Sequence, residues 1–122
     1  MAVIEDDPEV RASLRALLER WGHRVLAAGC TAELLPALAH DGGLDAVIAD
    51  YRLQGPATGD VEVQQLRALL GRPLPALIVS GATGADDLRA LAEGGLPWLS
   101  KPLQPARLRA WLRTCAALPA SG

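Results

Sequence analysis

Five short apolar runs, each followed by a segment with helical spacing, are the feature of this sequence that most constrains its fold. The runs are nearly continuous in apolar residues, which is typical of parallel strands buried on both faces. Strands that alternate with helices are joined by right-handed crossovers, with helices on both faces of one sheet. The predicted strands are Ala2–Ile4, Val25–Ala28, Leu44–Ala49, Ala76–Val79 and Trp98–Ser100. The sequence therefore predicts a three-layer α/β domain.

Residues that start and stop helices fall between these runs. Asp7 can accept hydrogen bonds from the free amides at the start of a helix, and Pro8 suits the first helical position. Thr31 is expected to cap a second helix, in which Pro36 predicts a kink or an early end because it lacks an amide hydrogen. The other three helices are predicted over residues 60–70, 86–92 and 105–115.

The first helix has the clearest apolar stripe. Its apolar residues recur at the spacing of one helix face, which we expect to pack on the sheet. Arg11 and Arg15 lie off that face and are expected on the surface. The stripe consists of Val10, Leu14, Leu17, Leu18 and Trp21.

Composition and charge limit the number of domains, the classes of partner and the cellular location that we expect. With 122 residues, a single domain with its own hydrophobic core is expected. The net charge of -2 and the lack of a basic tract argue against direct nucleic-acid binding. Cys30 and Cys115 are far apart, which predicts free thiols and a cytoplasmic location. No apolar run approaches the roughly 20 residues that cross a bilayer, so no membrane contact by this domain is expected.

The two ends of the chain bear on domain boundaries. We expect the domain over residues 1–116 and a linker or tail over residues 117–122. The first apolar run begins at residue 2, and the last six residues are mostly small. Such ends favour a domain taken from a longer protein, whose remaining part can be membrane-anchored. A short natural N-terminus is the alternative.

Reactive side chains follow four of the five predicted strands. Each has an ordinary explanation by itself, since acids cap helices, serines form turns and lysines are exposed. The carboxyl ends of parallel strands, however, meet at one edge of the sheet. The side chains expected there are Glu5, Asp6, Asp7, Asp50, Ser80 and Lys101. Their joint occurrence at one edge predicts a functional site.

Phosphoryl transfer to a carboxylate is the chemistry that uses this set. Neighbouring carboxylates are the hard oxygen ligands that bind Mg²⁺, which also bridges to phosphate oxygens. A lysine and a hydroxyl can neutralise or donate to the equatorial phosphoryl oxygens. An aspartate can act as the nucleophile and form an acyl phosphate.

At this point the sequence resembles the receiver domains of two-component response regulators, over about residues 2–116. The stretches that carry the resemblance are "VIEDDP", "AVIADYRL", "LIVSG" and "SKP". The resemblance implies a (βα)5 doubly wound parallel sheet with the flavodoxin-like strand order 2-1-3-4-5.

The resemblance also implies a role for each matching residue. Asp50 matches the phosphoacceptor, and Lys101 and Ser80 match the residues that bind the phosphoryl oxygens. Mg²⁺ is held by Glu5, Asp6, Asp50 and the backbone carbonyl of Arg52. The peptide bond between Lys101 and Pro102 is expected to be cis, although only about 5–6% of bonds that precede proline are.

Three features depart from the usual family pattern. Trp98 stands where a tyrosine or phenylalanine acts as a rotameric switch, and its larger indole puts the usual inward movement in doubt. Gln54 stands where a proline is common, and the loop that ends at Gly59 is one residue longer than usual. The "DYRL" and "RPLPALIVSG" stretches are more similar to receivers fused to sensor histidine kinases.

The resemblance implies a phosphorelay with definite partners. A sensor histidine kinase, in the same chain or another, donates the phosphoryl group from a phosphohistidine, and a histidine phosphotransfer domain is a further partner. The receiver by itself phosphorylates and dephosphorylates itself, and a hybrid parent chain would be a histidine kinase. Phosphorylation moves Ser80 and the loop that follows it, and so switches the face formed by the fourth helix, fifth strand and fifth helix. A homodimer through that face is also implied.

Other functions remain open at this point. The domain can instead belong to a stand-alone or transcription-factor regulator, or be a pseudo-receiver used only for docking. A flavin-binding module would need a phosphate loop where Glu5–Asp7 stand, and these acids would repel the phosphate. A phosphatase with an aspartyl nucleophile would need an Asp-x-Asp motif there, and Glu5 occupies the first position.

Overall fold

Five strands alternate with five helices in this computed structural model, which describes residues 1–38, 44–51, 58–71, 73–81 and 85–117. The strands are β1 (Ala2–Ile4), β2 (Leu26–Ala28), β3 (Val47–Asp50), β4 (Ala76–Ser80) and β5 (Trp98–Ser100). The helices are α1 (Pro8–Arg20), α2 (Thr31–Leu38), α3 (Gly59–Leu70), α4 (Ala85–Gly94) and α5 (Pro105–Ala117). The predicted α/β alternation is confirmed.

The strands form one parallel sheet in the order β2-β1-β3-β4-β5, which confirms the predicted topology. β1 and β3 are neighbours, and Ile4 is paired with Ala49 at their carboxyl ends. The chain leaves β1 toward β2 on one side, whereas β3 leads to β4 on the other. This is the switch point at which α/β sheets bind ligands, and Glu5 and Asp50 lie beside each other there.

The hydrophobic core lies in two layers, one on each face of the sheet. Successive strand residues point to opposite faces, so Ile4 packs in the layer with Leu34, Val63 and Leu66 of α2 and α3. Val3 faces the other layer, with Leu18 of α1 and Leu108 and Leu112 of α5. The three central strands, β1, β3 and β4, are buried on both faces, which is why they contain almost no polar residues.

Several element bounds differ from the prediction. β3 begins at Val47 and ends at Asp50, not over Leu44–Ala49, because its ladder with β4 starts at Val47 opposite Ala76. Leu44 and Ala46 are buried nonetheless, so their apolar character reflects the core and not the strand. The helices predicted over residues 86–92 and 105–115 extend to 85–94 and 105–117. Residues 118–122 of the predicted tail lie outside the described residues.

The prediction for the apolar stripe of α1 was wrong at its first residue. Leu18 is fully buried, but Val10 is 39% exposed. Val10 stands in the first turn of α1, at the wall of an open cleft and not in the core. It lines a cleft of about 290 Å³, together with Leu14, Leu17 and Leu103.

The role predicted for Thr31 was also wrong. Its hydroxyl donates to the backbone carbonyl of Glu62 (3.1 Å), and its amide donates to the Glu62 carboxylate (3.2 Å). Thr31 and Glu62 are both buried, so they tie α2 to α3. α2 has only eight residues, with Pro36 inside it. This short length agrees with the early end that Pro36 predicted as one of two alternatives.

Among the residues that the structure describes, no helix is both long enough and apolar enough to cross a membrane.

Candidate functional site

The three acids after β1 do not occupy equivalent positions. Asp7 accepts hydrogen bonds from the amides of Glu9 (2.9 Å) and Val10 (3.4 Å), and Pro8 is the first residue of α1. Asp7 therefore caps the helix, as predicted. Glu5 is only 4% exposed, and its carboxylate accepts from the Asp7 amide (3.2 Å). Asp6 is half-buried.

Glu5, Asp6 and Asp50 bring their carboxylates together at the switch point. Each offers an oxygen, and these oxygens lie within 4.8 Å of one another. Asp50 is the last residue of β3 and is 7% exposed. Three converging carboxylates, two of them buried, repel one another unless a cation lies among them. The residues present therefore fit a hard divalent ion such as Mg²⁺.

Lys101, the one lysine of the chain, joins this acidic cluster from the end of β5. Its ammonium lies 3.1 Å from Asp50 Oδ2 and 3.5 Å from Glu5 Oε2. Burial alone lowers the pKa of Lys101, but the hydrogen bond and charge of Asp50, with the charge of Glu5, outweigh burial and raise the pKa. The ammonium therefore stays charged throughout the physiological range.

The backbone around Lys101 is held to the neighbouring strand. The Lys101 amide donates to the carbonyl of Ser80 (2.8 Å), and Ser80 is buried at the end of β4. The peptide bond between Lys101 and Pro102 is cis, in agreement with the expectation from the sequence. The structure thus brings Ser80 and Lys101 to the same edge as the three acids.

Burial raises the pKa of Glu5 to about 7. The Asp7 amide and Lys101 act in the opposite direction, and the charge of Asp50 adds to the increase. The folded protein therefore binds this proton more tightly than the unfolded chain does, whose glutamate has a pKa near 4.5. Near neutral pH a metal-free site is partly protonated at Glu5.

This pKa predicts how stability changes with pH in the absence of metal. The free energy of unfolding should fall as pH rises from about 4.5 to about 7, because the native state must give up a proton that it favours. We expect a loss of about 1–3 kcal/mol from this group. Urea denaturation in EDTA at pH 5 and pH 8 measures it. Glu5→Gln is the control and should lack this part of the slope; an unchanged slope in that variant would contradict the prediction.

Gly59 holds the other side of Asp50. Its amide donates to the carbonyl of Tyr51 (2.9 Å), and α3 begins at this residue. A side-chain carbon at position 59 would overlap the carbonyl oxygen of Asp50 and contact the Ala49 side chain. Sequence reasoning identified Gly59 as the end of a loop. The glycine is needed because the helix start lies directly on the Asp50 backbone.

The remaining site predictions have different outcomes. Arg52 and Gln54 lie outside the described residues. Trp98 is half-buried beside the core layer that contains Ile78 and Leu91, and its part in a switch stays a prediction. Sequence reasoning missed one contact, because it placed Arg11 on the outer face of α1. Arg11 instead donates to the carbonyl of Glu5 (3.0 Å).

Comparisons with known proteins agree with this geometry. The family model for the response regulator receiver domain matches residues 1–113. The sensory/regulatory protein RpfC of Xanthomonas campestris is 33% identical over 112 residues, which are 88% of this chain and 15% of that protein. The two-component response regulator PprB of Pseudomonas aeruginosa is 28% identical over 109 residues, 87% of this chain and 39% of that protein. The chain thus spans a minor part of either relative.

Solved structures share the fold over nearly the whole chain. The chemotaxis protein CheY4 of Vibrio cholerae has a TM-score of 0.76 at 22% identity, with 93% of this chain and 95% of that chain covered. A putative response regulator from Chloroflexus aurantiacus has a TM-score of 0.76 at 26% identity, with 96% of each chain covered. The match over residues 1–113, with the sheet order described above, shows that this chain belongs to the response regulator receiver domain family.

Proposed function

We propose that this domain accepts a phosphoryl group on Asp50 from a phosphohistidine of a kinase. The observation that carries the proposal is the place of Asp50, buried between the Glu5–Asp6 pair and the Lys101 ammonium. A carboxylate oxygen of Asp50 forms the new bond to phosphorus as the bond from phosphorus to the histidine nitrogen breaks. The leaving imidazole takes a proton from solvent, and the product is an acyl phosphate.

Glu5, Asp6 and Asp50 would hold Mg²⁺, together with the carbonyl of Arg52 that the family pattern implies. The bound ion supplies positive charge to the transferring oxygens. Its charge also offsets the repulsion among the three carboxylates. Burial of Glu5 and Asp50 keeps water from screening these interactions, so each charge has a larger effect than it would on the surface.

Lys101 and Ser80 would bind the phosphoryl group once it is on Asp50. The ammonium that lies 3.1 Å from Asp50 Oδ2 is close enough to turn to a phosphoryl oxygen with little movement. Ser80 lies at the end of the next strand, and its hydroxyl can donate to another oxygen. Movement of Ser80 toward the phosphoryl group would change the β4–α4 connection, and so shift the face of α4, β5 and α5 between two states.

Incubation of the domain with phosphoramidate, a small phosphohistidine analogue, tests this function. With Mg²⁺, intact mass spectrometry should show one added phosphoryl group, and borohydride cleavage should locate it at residue 50. In EDTA the modification should be absent. An unmodified domain in both conditions would overturn the proposal and favour a docking module without chemistry.

Lys101→Met should slow this reaction by about 100-fold, since a positive group that meets the transferring oxygens is lost. Glu5 and Asp50 also lose their shared counter-ion, so metal-free protein should unfold at lower urea concentration. The gain of phosphorylated protein over time in phosphoramidate and Mg²⁺, followed by mass spectrometry, measures the rate. Ser100→Ala, an exposed neighbour on β5, is the control. A rate within twofold of wild type for Lys101→Met would contradict the role.

We further propose that the domain is the receiver of a hybrid sensor histidine kinase, with a cytoplasmic location for residues 1–116 and a linker over residues 117–122. A kinase in the same chain, a histidine phosphotransfer domain and a second copy through α4, β5 and α5 would be its partners. The support is the higher identity to a long sensory/regulatory protein than to a two-component response regulator.

Immunoblotting of the native protein with an antibody to this domain tests the hybrid origin. A band of the domain's own size would contradict a hybrid chain, and a long band without ATP-dependent histidine phosphorylation would contradict a kinase.

A further inference from the structure

Arg11 is an unusual residue for the place it occupies. It lies in the second turn of α1, whose N-terminus carries partial positive charge that disfavours a cation. It is also near the carboxylates that would bind Mg²⁺, where a second positive charge would compete with the ion. Nevertheless its side chain is half-buried and turned toward the site. A solvated arginine would lie outward, as Arg15 does beside Glu19.

The contacts of Arg11 explain this orientation. Side chains on a helix lean toward its N-terminus, which carries the Arg11 guanidinium back over the end of β1. There Nη1 donates to the backbone carbonyl of Glu5 (3.0 Å). This carbonyl belongs to a residue whose carboxylate faces the acidic cluster, and it directly precedes Asp6. The hydrogen bond therefore holds the segment that carries both acids.

The end of β2 completes the arrangement. A carbon placed at the side-chain position of Gly29 would lie 3.5 Å from Arg11 Nη1 and 3.2 Å from Glu33 Oε1. The guanidinium and the Glu33 carboxylate thus share the space that the missing side chain leaves. Glu33 also accepts from the Gly29 amide (3.4 Å), which fixes it there. β2 has no reactive residue at its end, but the Gly29 backbone that follows it lies against the Arg11 guanidinium.

We propose that Arg11, held over Gly29 beside Glu33, is a positioning residue that fixes the Glu5–Asp6 segment for Mg²⁺ binding. The inference rests on the proposed metal site and adds a residue that touches neither the ion nor the phosphoryl group. The Glu33 carboxylate lies over Gly29 in the same space as the guanidinium, where its negative charge would reduce the repulsion between Arg11 and the ion. The hydrogen bond to the Glu5 carbonyl keeps the two acids from moving apart when the ion is absent.

Calorimetric titration of the domain with Mg²⁺ alone tests the proposal. Arg11→Ala should weaken Mg²⁺ binding by roughly 10-fold, the low end of the effect seen when groups that orient metal ligands are removed. Phosphorylation of Arg11→Ala by phosphoramidate should be slower than that of wild type at low Mg²⁺ and equal to it at saturating Mg²⁺, because the reacting groups are unchanged. Arg11→Lys retains a charged donor and should recover part of the affinity.

Two further variants separate positioning from general stability. Arg15→Ala removes the same residue type one turn along α1, where it contacts Glu19 at the surface, and should leave the Mg²⁺ affinity at the wild-type value. Gly29→Ala would place a carbon 3.2 Å from Glu33 Oε1, so that this carboxylate must shift, and should weaken Mg²⁺ binding in the same direction as Arg11→Ala.

The outcomes distinguish this inference from the proposed function. If wild-type protein binds no Mg²⁺, the metal site itself is overturned, and the positioning role with it. If wild-type protein binds Mg²⁺ and Arg11→Ala binds it equally well or more tightly, only the positioning role is overturned. A lower unfolding temperature of Arg11→Ala in EDTA with an unchanged Mg²⁺ affinity would show a purely structural residue, and would also overturn it.

Discussion

Asp50→Asn should abolish formation of the acyl phosphate while the domain stays folded. Asparagine has nearly the same shape as aspartate, so the buried position at the end of β3 can accept it. Its amide cannot form the bond to phosphorus that the carboxylate forms. Since Asp50 also supplies one of the three converging oxygens, Mg²⁺ binding should weaken as well. Intact mass spectrometry after incubation with phosphoramidate and Mg²⁺ measures the first effect, and calorimetry measures the second.

The control for Asp50→Asn is the same substitution at a nearby aspartate with a different role. Asp7 caps α1 and accepts from the amides of Glu9 and Val10. Asp7→Asn keeps a capping oxygen, so this variant should be phosphorylated at a rate near that of wild type. Phosphoryl incorporation at an undiminished level in Asp50→Asn would show that another residue is the acceptor.

Gly59→Ala should destabilise the domain by about 3 kcal/mol or more, at the upper end for an overpacked site. The added carbon would overlap the carbonyl oxygen of Asp50, and backbone atoms cannot rotate away as a flexible side chain can. Either the start of α3 or the end of β3 must shift. Such a loss is large beside the 5–15 kcal/mol that a domain typically has in total. Urea denaturation gives the free energy of unfolding.

Gly94→Ala is the matched control for this substitution. Gly94 lies at the end of α4, and no atom would come within 4 Å of an added carbon there. Alanine is favoured over glycine in helices by about 1 kcal/mol, so Gly94→Ala should be neutral or slightly stabilising. If Gly59→Ala unfolded at the same urea concentration as Gly94→Ala, the close approach to Asp50 would not be a constraint. Even where Gly59→Ala folds, it should be phosphorylated more slowly than wild type, because Asp50 would be displaced.

Much of the fold was predictable because its main signals are local in the sequence. Continuous apolar runs are required of strands buried on both faces, and Asp7 with Pro8 satisfies the start of α1 by itself. The failures occurred where a residue's environment is set by another element. Val10 follows the helical pattern but lines an open cleft and is exposed. Thr31 has a capping side chain, yet the buried Glu62 of α3 competes for it and forms both hydrogen bonds.

The site divides in the same way. The parallel direction of the strands places the residues after β1, β3, β4 and β5 at one edge, so the presence of Glu5, Asp6, Asp50, Ser80 and Lys101 there followed from the alternation alone. The difference between Glu5 and Asp6 did not. Glu5 and Asp6 are adjacent in sequence, but burial, together with the charge of Asp50, raises the pKa of Glu5 to about 7. Burial depends on how α1, β3 and β5 close over the strand end.

By itself, then, the sequence determined the type of sheet and which acidic, hydroxyl and ammonium groups meet at its carboxyl edge. Those properties depend on periodicity and on the chemistry of single side chains. Only the tertiary structure decided which acid is buried, why position 59 has no side chain, and that Arg11 turns inward to the Glu5 carbonyl. Each of these depends on distances between segments far apart in the chain, because desolvation, close packing and hydrogen bonding act through space.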